Sequence, residues 1–165
     1  MSAPRLSSAP VSVQPEIDAD ADQVAALIDA AFGSGRFAKT AERLREASSP
    51  VCGLVVREGG AAVGSVRLWR IAVGGAPALF LGPIAVDAQA RRSGVGAALV
   101  EAALRCAEDQ AVAGVLLVGD LPYFGRFGFT ALESVRMPGP VDPRRLLWRA
   151  SDGTVPAGDV VGVRD

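Results

Sequence analysis

Apolar and polar residues alternate at the start of the chain, Val11 and Val13 against Ser12 and Gln14, which predicts a first strand over residues 11–16. The period then changes. Val24, Leu27, Ile28 and Ala31 recur at helical spacing behind Asp18, Asp20 and Asp22, which supply capping and a negative first turn, and the helix ends near Gly33. A second short helix begins around Thr40 and turns Leu44 and Ala47 inward. Strands over residues 51–58 and 61–73 flank Gly59-Gly60, a hairpin signal, and Gly74-Gly75 returns the chain into a third strand over 78–86. A charged loop over 87–96 leads into a helix reaching about Gln110. On it Val95, Leu99, Ala103 and Ala107 share one face, opposite Glu101, Arg105 and Glu108. Val115 to Val118 reads as a short strand buried on both faces. An aromatic segment over 122–129 and a Pro/Gly-rich linker over 138–143 precede a strand over 146–150, and the weakly patterned tail has room for one more. The order β-α-α-β-β-β-α-β-α-β describes one mixed α/β domain over residues 11–165, behind a flexible leader over 1–10.

The 165 residues carry 17 basic and 18 acidic side chains, a balance without the electrostatic footprint of a nucleic-acid or anionic-membrane binder. There is no histidine. That absence removes Ser-His-Asp and Cys-His triads, histidine acid/base chemistry and nearly every catalytic zinc site, so no metal is expected. Cys52 and Cys106 lie far apart in sequence with no CxxC spacing, and read as two buried free thiols of a cytoplasmic protein. The N-terminus has no apolar signal-peptide core. The longest uncharged stretch, residues 71–86, is short for a membrane span and broken by glycine and proline.

The chemistry concentrates in residues 81–99. A strand ending Ile84-Ala85-Val86 runs into a loop with the spacing Arg91-x-x-Gly94-x-Gly96 and then into a helix. Glycines allow close backbone approach to an anion, and a helix N-terminus offers unpaired N–H groups at the positive end of its dipole. Arg91 and Arg92 add charge. The loop lacks Gly-Lys-Ser/Thr, so it is no Walker loop. Leu99 and the hairpin-linked strands upstream also argue against a dinucleotide fingerprint.

This motif resembles the acetyl-CoA loop of the GNAT superfamily of N-acetyltransferases, Gln/Arg-x-x-Gly-x-Gly/Ala. The run Gly119 to Phe129 and the Pro-Gly-Pro-Val-Asp-Pro run over 138–143 are similar to its bacterial YhbS-like branch. The resemblance implies a GNAT-like fold: a central mixed, mostly antiparallel sheet, splayed at a cofactor cleft, with helices on both faces. It implies acetyl-CoA as cosubstrate, bound by Ile84, Ala85 and Val86 along the pantetheine arm and by the amides of Arg91, Arg92, Ser93, Gly94, Val95, Gly96 and Ala97 at the pyrophosphate, with Phe124 beside the cofactor. The partner implied is an amine acceptor, and a homodimer is common among such enzymes.

The implied reaction is direct attack of a neutral amine on the thioester. It needs a base or water chain for the amine's proton, a donor for the oxygen that gains charge, and an acid for the departing thiolate. The third strand carries no carboxylate, so Asp120 is the candidate base, with capping of the next helical turn as its structural alternative. Tyr123 is the candidate acid. The family's usual acid stands four residues before the glycine of Gly-Phe, and Phe124 occupies that position here, so water is the competing donor. In a regular turn Tyr123 and Phe124 point about 100° apart and cannot both face the sulfur, whereas the irregular turn that Pro122 and Gly125 allow lets both do so. Phe127 and Phe129 read as core, Trp69 and Trp148 as sheet residues. The rival reading of the whole chain is a non-catalytic acyl-CoA-binding or regulatory module.

Overall fold

The computed structural model describes residues 11–90 and 94–165. Its elements are β1 (Val13–Pro15), α1 (Ala21–Phe32), α2 (Thr40–Glu46), β2 (Pro50–Glu58), β3 (Ala61–Val73), β4 (Ala76–Leu81), β5 (Ala85–Val86), α3 (Val95–Glu108), β6 (Gly114–Val118), α4 (Leu121–Phe124), β7 (Thr130–Ala131), β8 (Val135–Arg136), β9 (Leu146–Ala150) and β10 (Gly158–Gly162). One sheet runs in the order β1-β2-β3-β4-β6-β9-β7. All its neighbours along that path are antiparallel except β4 and β6.

The two-residue period of the strands sorts side chains onto two faces. Leu79 and Leu81 of β4 and Val115 and Leu117 of β6 pack with Leu99, Ala103 and Leu104 of α3. Ala78, Phe80 and Leu116, which alternate with them, pack on the opposite side with Leu44 of α2 and Trp148 of β9. Val24 and Ile28 of α1 close on Val55 and Ala85. Helices therefore cover both faces. The α3 stripe is wider than the one face expected, because Val100 and Leu104 are buried alongside Val95, Leu99, Ala103 and Ala107. That helix sits unusually close to the sheet: a Cβ on Gly64 would stand 2.6 Å from Val95 Cγ1 and 2.9 Å from Leu99 Cδ1.

Several expectations are corrected. The third strand does not run unbroken over 78–86. Gly82 adopts φ +136° and Pro83 has no N–H to donate, so the ladder on β3 stops at Leu81 and restarts at Ala85. The break is held in place, with Gly82 N–H donating to Arg67 O (2.8 Å) and Trp69 Nε1 donating to Gly82 O (2.6 Å). Asp20 does not cap α1. Its carboxylate accepts from Ile17 N–H (2.8 Å) and from Arg57 Nε (3.1 Å), closing the preceding 3-10 turn onto β2. Both contacts hold its carboxyl below the usual carboxylate range, the Arg57 hydrogen bond foremost. Ala47 is exposed past the end of α2, and the buried residue is Ser48, whose hydroxyl donates to Leu44 O (2.7 Å). The cysteines are half-buried neighbours rather than separate core thiols, and burial, then contact with Cys106, pushes Cys52 up to about 12. Strands β7 and β8 have no counterpart in the pattern reading, and the tail does form β10, antiparallel to β3 and parallel to β8. Among the described residues no helix is long and apolar enough to cross a membrane.

Candidate active site

The first part of the site is backbone. Gly94 caps α3 in the left-handed region (φ +78°), a conformation other residues adopt at a cost, and the first helical bond is Ala98 N–H to Gly94 O (3.0 Å). The amides of Val95, Gly96 and Ala97 precede it and have no partner within the helix. No acidic residue occupies that first turn, so nothing opposes an anion at the positive end of a 14-residue helix. Arg91, Arg92 and Ser93, the remaining residues expected at the pyrophosphate, lie outside the described residues. The cradle is narrow. A Cβ on Gly96 would sit 3.3 Å from Tyr123 Oη and 3.9 Å from Val86 Cγ2, so the start of α3, β5 and α4 meet at one point.

The second part is a gap in the sheet. β4 and β6 pair in parallel only at Leu79–Val115 and Phe80–Leu116. Beyond Phe80 the chain bends through Gly82-Pro83 back to β3, whereas β6 stays on β9 through Leu117–Leu147 and Val118–Leu146. The strands thus part, and a cleft of about 250 Å³ opens between Leu81–Ile84 on one side and Leu117–Asp120 on the other, closed by Tyr123 and Phe124. Ile84 stands between the two ladders and lines it. Ala85 and Val86 belong to β5, Ala85 buried against α1 and Val86 half-buried beside α3.

Tyr123 and Phe124 both line this cleft, the outcome expected of an irregular turn. The reason is local. α4 lasts four residues, begins at Leu121-Pro122, and tightens into a 3-10 turn at Gly125. The two rings meet edge to face at 4.8 Å. Phe124 fills the space above Gly119, where a Cβ would stand 2.5 Å from its Cε2, and packs edge-on against buried Phe129. Tyr123 is pinned from outside by the Arg126 guanidinium, 4.3 Å from its ring centre. Asp120 occupies the N-cap position of α4, but its side chain makes no capping bond. It is exposed and faces Arg145 Nε at 3.4 Å, which overturns the capping alternative.

The third part lies on the first two helices and the loop after Gly33, where the sequence assigns no chemistry to any residue. A pocket of about 320 Å³ opens behind the cleft, and Phe32, Arg45, Pro83, Val118 and Arg145 line both. Its walls are the end of α1, the turn before α2, and α2 itself. Arg45 pairs with Glu42 at 2.9 Å, and Arg36 pairs with Asp29 while its guanidinium covers the Phe37 ring at 4.3 Å. Burial pushes the Arg45 guanidinium down from its ordinary value, Glu42 pulling the other way. No motif singles out these side chains in the sequence. Nothing local joined them to Pro83, Val118 or Arg145, which are distant in sequence. Phe129 and Trp148 are core as expected, while Phe127 and Trp69 are half-buried.

A cradle for a pyrophosphate at one end, a slot between splayed strands, and a separate polar pocket at the other end suit a long phosphorylated thioester and a second substrate. Known proteins agree. Residues 21–129 match the acetyltransferase (GNAT) family. The N-acetyltransferase YhbS of Escherichia coli strain K12 is 32% identical over 120 residues, covering 71% of this chain and 72% of that protein. The crystal structure of Escherichia coli YhbS in complex with CoA superposes with a TM-score of 0.76 at 27% identity, over 93% of this chain and 89% of that one. A GNAT family acetyltransferase from Brucella melitensis in complex with acetyl-CoA gives 0.73 at 25% identity, over 93% and 96%. The matched segment spans the cradle, the splayed strands and α4 together, and this chain belongs to the GNAT acetyltransferase family.

Proposed function

We propose that the chain transfers the acetyl group of acetyl-CoA to a primary amine by direct attack. The observation that carries this reading is that Tyr123, which lines the gap between β4 and β6, also stands against the first turn of α3 at Gly96, while the far end of that gap shares its lining with the pocket behind it. The CoA and acetyl-CoA complexes of the two relatives support it.

Acetyl-CoA supplies the activated acyl group. The amides of Gly94, Val95, Gly96 and Ala97, with Arg91, Arg92 and Ser93, bind its pyrophosphate, and Ile84, Ala85, Val86 and Phe124 flank the pantetheine arm. The backbone freed where β4 leaves β6 offers donors for the oxygen that gains charge during attack. Asp120, reached from the cleft, takes the proton the amine loses. Tyr123, the only tyrosine of the chain, returns one to the thiolate.

Phe124 at the family's usual acid position favours one other reading, an acyl-CoA-binding module without transfer. Single-turnover mixing with acetyl-CoA and a panel of amines separates them. Transfer releases free CoA and yields an acetylated amine by mass. A module binds acetyl-CoA and releases none with any amine.

A further inference from the structure

The pocket behind the cleft has a charge pattern that narrows its occupant. Arg36, Lys39, Arg45 and Arg145 line it with one carboxylate, Glu42, which pairs with Arg45; Asp29 and Asp120 pair with Arg36 and Arg145 from outside the lining, so one positive charge stays unbalanced. Lys39 is the only lysine of the chain and has no ion-pair partner among the described residues. The Nε atoms of Arg36 and Arg45 are buried without a hydrogen-bond partner. Both side chains are well shielded, 15% and 14% exposed. Guanidinium groups and the unpaired Lys39 ammonium lining one pocket match an anionic oxygen. The rest of the wall, Ile28, Ala31, Phe32 and Ala41, is apolar and suits a short carbon spacer.

Resting on the acetyl-transfer reading above, we propose that the acceptor is a small amine bearing a carboxylate or phosphate, its anionic group seated on Arg36, Lys39 and Arg45 and its amine pointing through Pro83 and Val118 into the cleft. The arrangement also serves the chemistry. Positive charge around a bound ammonium disfavours its protonated form, so the cations that hold the acid group help produce the neutral nucleophile in a cleft with few bases. A polycationic acceptor would meet the same cations as repulsion.

The test is calorimetric titration of the CoA-loaded protein, whose pyrophosphate cradle is already filled, with matched probes: β-alanine against propylamine, phosphoethanolamine against ethanolamine, and spermidine. The expected result is at least tenfold tighter binding of one acid-bearing amine than of its uncharged match, with the two pairs separating a carboxylate from a phosphate. Lys39→Gln and Arg36→Gln should each reduce that preference by about tenfold, with unchanged CoA affinity. In turnover the same variants should raise KM for the acid-bearing amine more than they lower kcat. Equal binding within both pairs, or a preference for spermidine, overturns the proposal while leaving acetyl transfer intact. Failure of the protein to bind CoA at all overturns the parent reading instead.

Discussion

The two ends of the cleft are built on different principles. The α3 end recognises through backbone: a left-handed Gly94, a bare Gly96, and amides that no side chain could replace. The α2 end recognises through side chains, Arg36, Lys39, Glu42 and Arg45 from one stretch meeting Pro83, Val118 and Arg145 from three others. A backbone device must be written in consecutive residues, because the glycines that permit it are neighbours in the chain. A side-chain pocket is written wherever the fold happens to deliver its walls. On the acetyl-transfer reading proposed above, the first is the end for acetyl-CoA and the second the end for the acceptor.

The largest effect should come from breaking the backbone end. In Gly96→Asp a carboxylate faces the pyrophosphate site at the start of α3, where charge repels and bulk blocks. Acetyl-CoA binding should be lost in calorimetry, while circular dichroism and melting stay near those of the parent protein, because Gly96 is half-buried at the cleft rather than in the core. Unchanged binding would move the cofactor elsewhere.

Next in size is Tyr123→Phe, expected to lower kcat by roughly 10²- to 10⁴-fold, the range for a positioned proton donor, with little change in acetyl-CoA affinity. The nearness of its hydroxyl to Gly96, 3.3 Å from where a Cβ would stand there, sharpens this test. An effect confined to KM for acetyl-CoA would assign Tyr123 to the backbone end, as a cofactor contact, and leave water as the acid.

A third test probes the cradle's selectivity. At a hundred times its Kd, acetyl-CoA should stabilise the fold by about 2.7 kcal/mol, which for a chain of this length raises Tm by roughly 5–10 °C. ATP and NAD should leave Tm unmoved, since the loop has neither a Walker lysine nor a dinucleotide fingerprint. A shift with ATP alone would contradict the reading of residues 81–99.

The same division explains what the sequence disclosed. Element order, the Gly59-Gly60 hairpin, the α3 face and the Gly94-x-Gly96 loop are local patterns, and each has its counterpart in the fold. What stayed hidden is non-local. Gly82-Pro83 sits inside the strand expected over 78–86, and that the chain peels away from β6 there depends on where β6 lies, some thirty residues later. Cys52 and Cys106 looked unrelated because only the packing of β2 beneath α3 makes them neighbours. For Tyr123 and Phe124 the local signal was sufficient, because Pro122 and Gly125 bracket the irregular turn that lets both rings reach the cleft.

The smallest effect probes whether the two ends of the cleft communicate. In Gly96→Ala the new methyl stands 3.3 Å from Tyr123 Oη and 3.9 Å from Val86 Cγ2. The second distance is ordinary contact. The first requires the hydroxyl to give by a few tenths of an ångström, and it can, because Tyr123 is partly exposed and held mainly by the Arg126 guanidinium and its aromatic neighbours. Acetyl-CoA affinity should therefore fall only a few-fold, while a proton donor displaced from its position should show a similar loss in kcat. Removing the hydroxyl removes the clash. In a Tyr123→Phe background, Gly96→Ala should leave kcat unchanged, so the two substitutions couple rather than add. Strict additivity in that double-mutant cycle would mean that Gly96 and the Tyr123 hydroxyl act independently, one on the phosphate and the other on the thiolate.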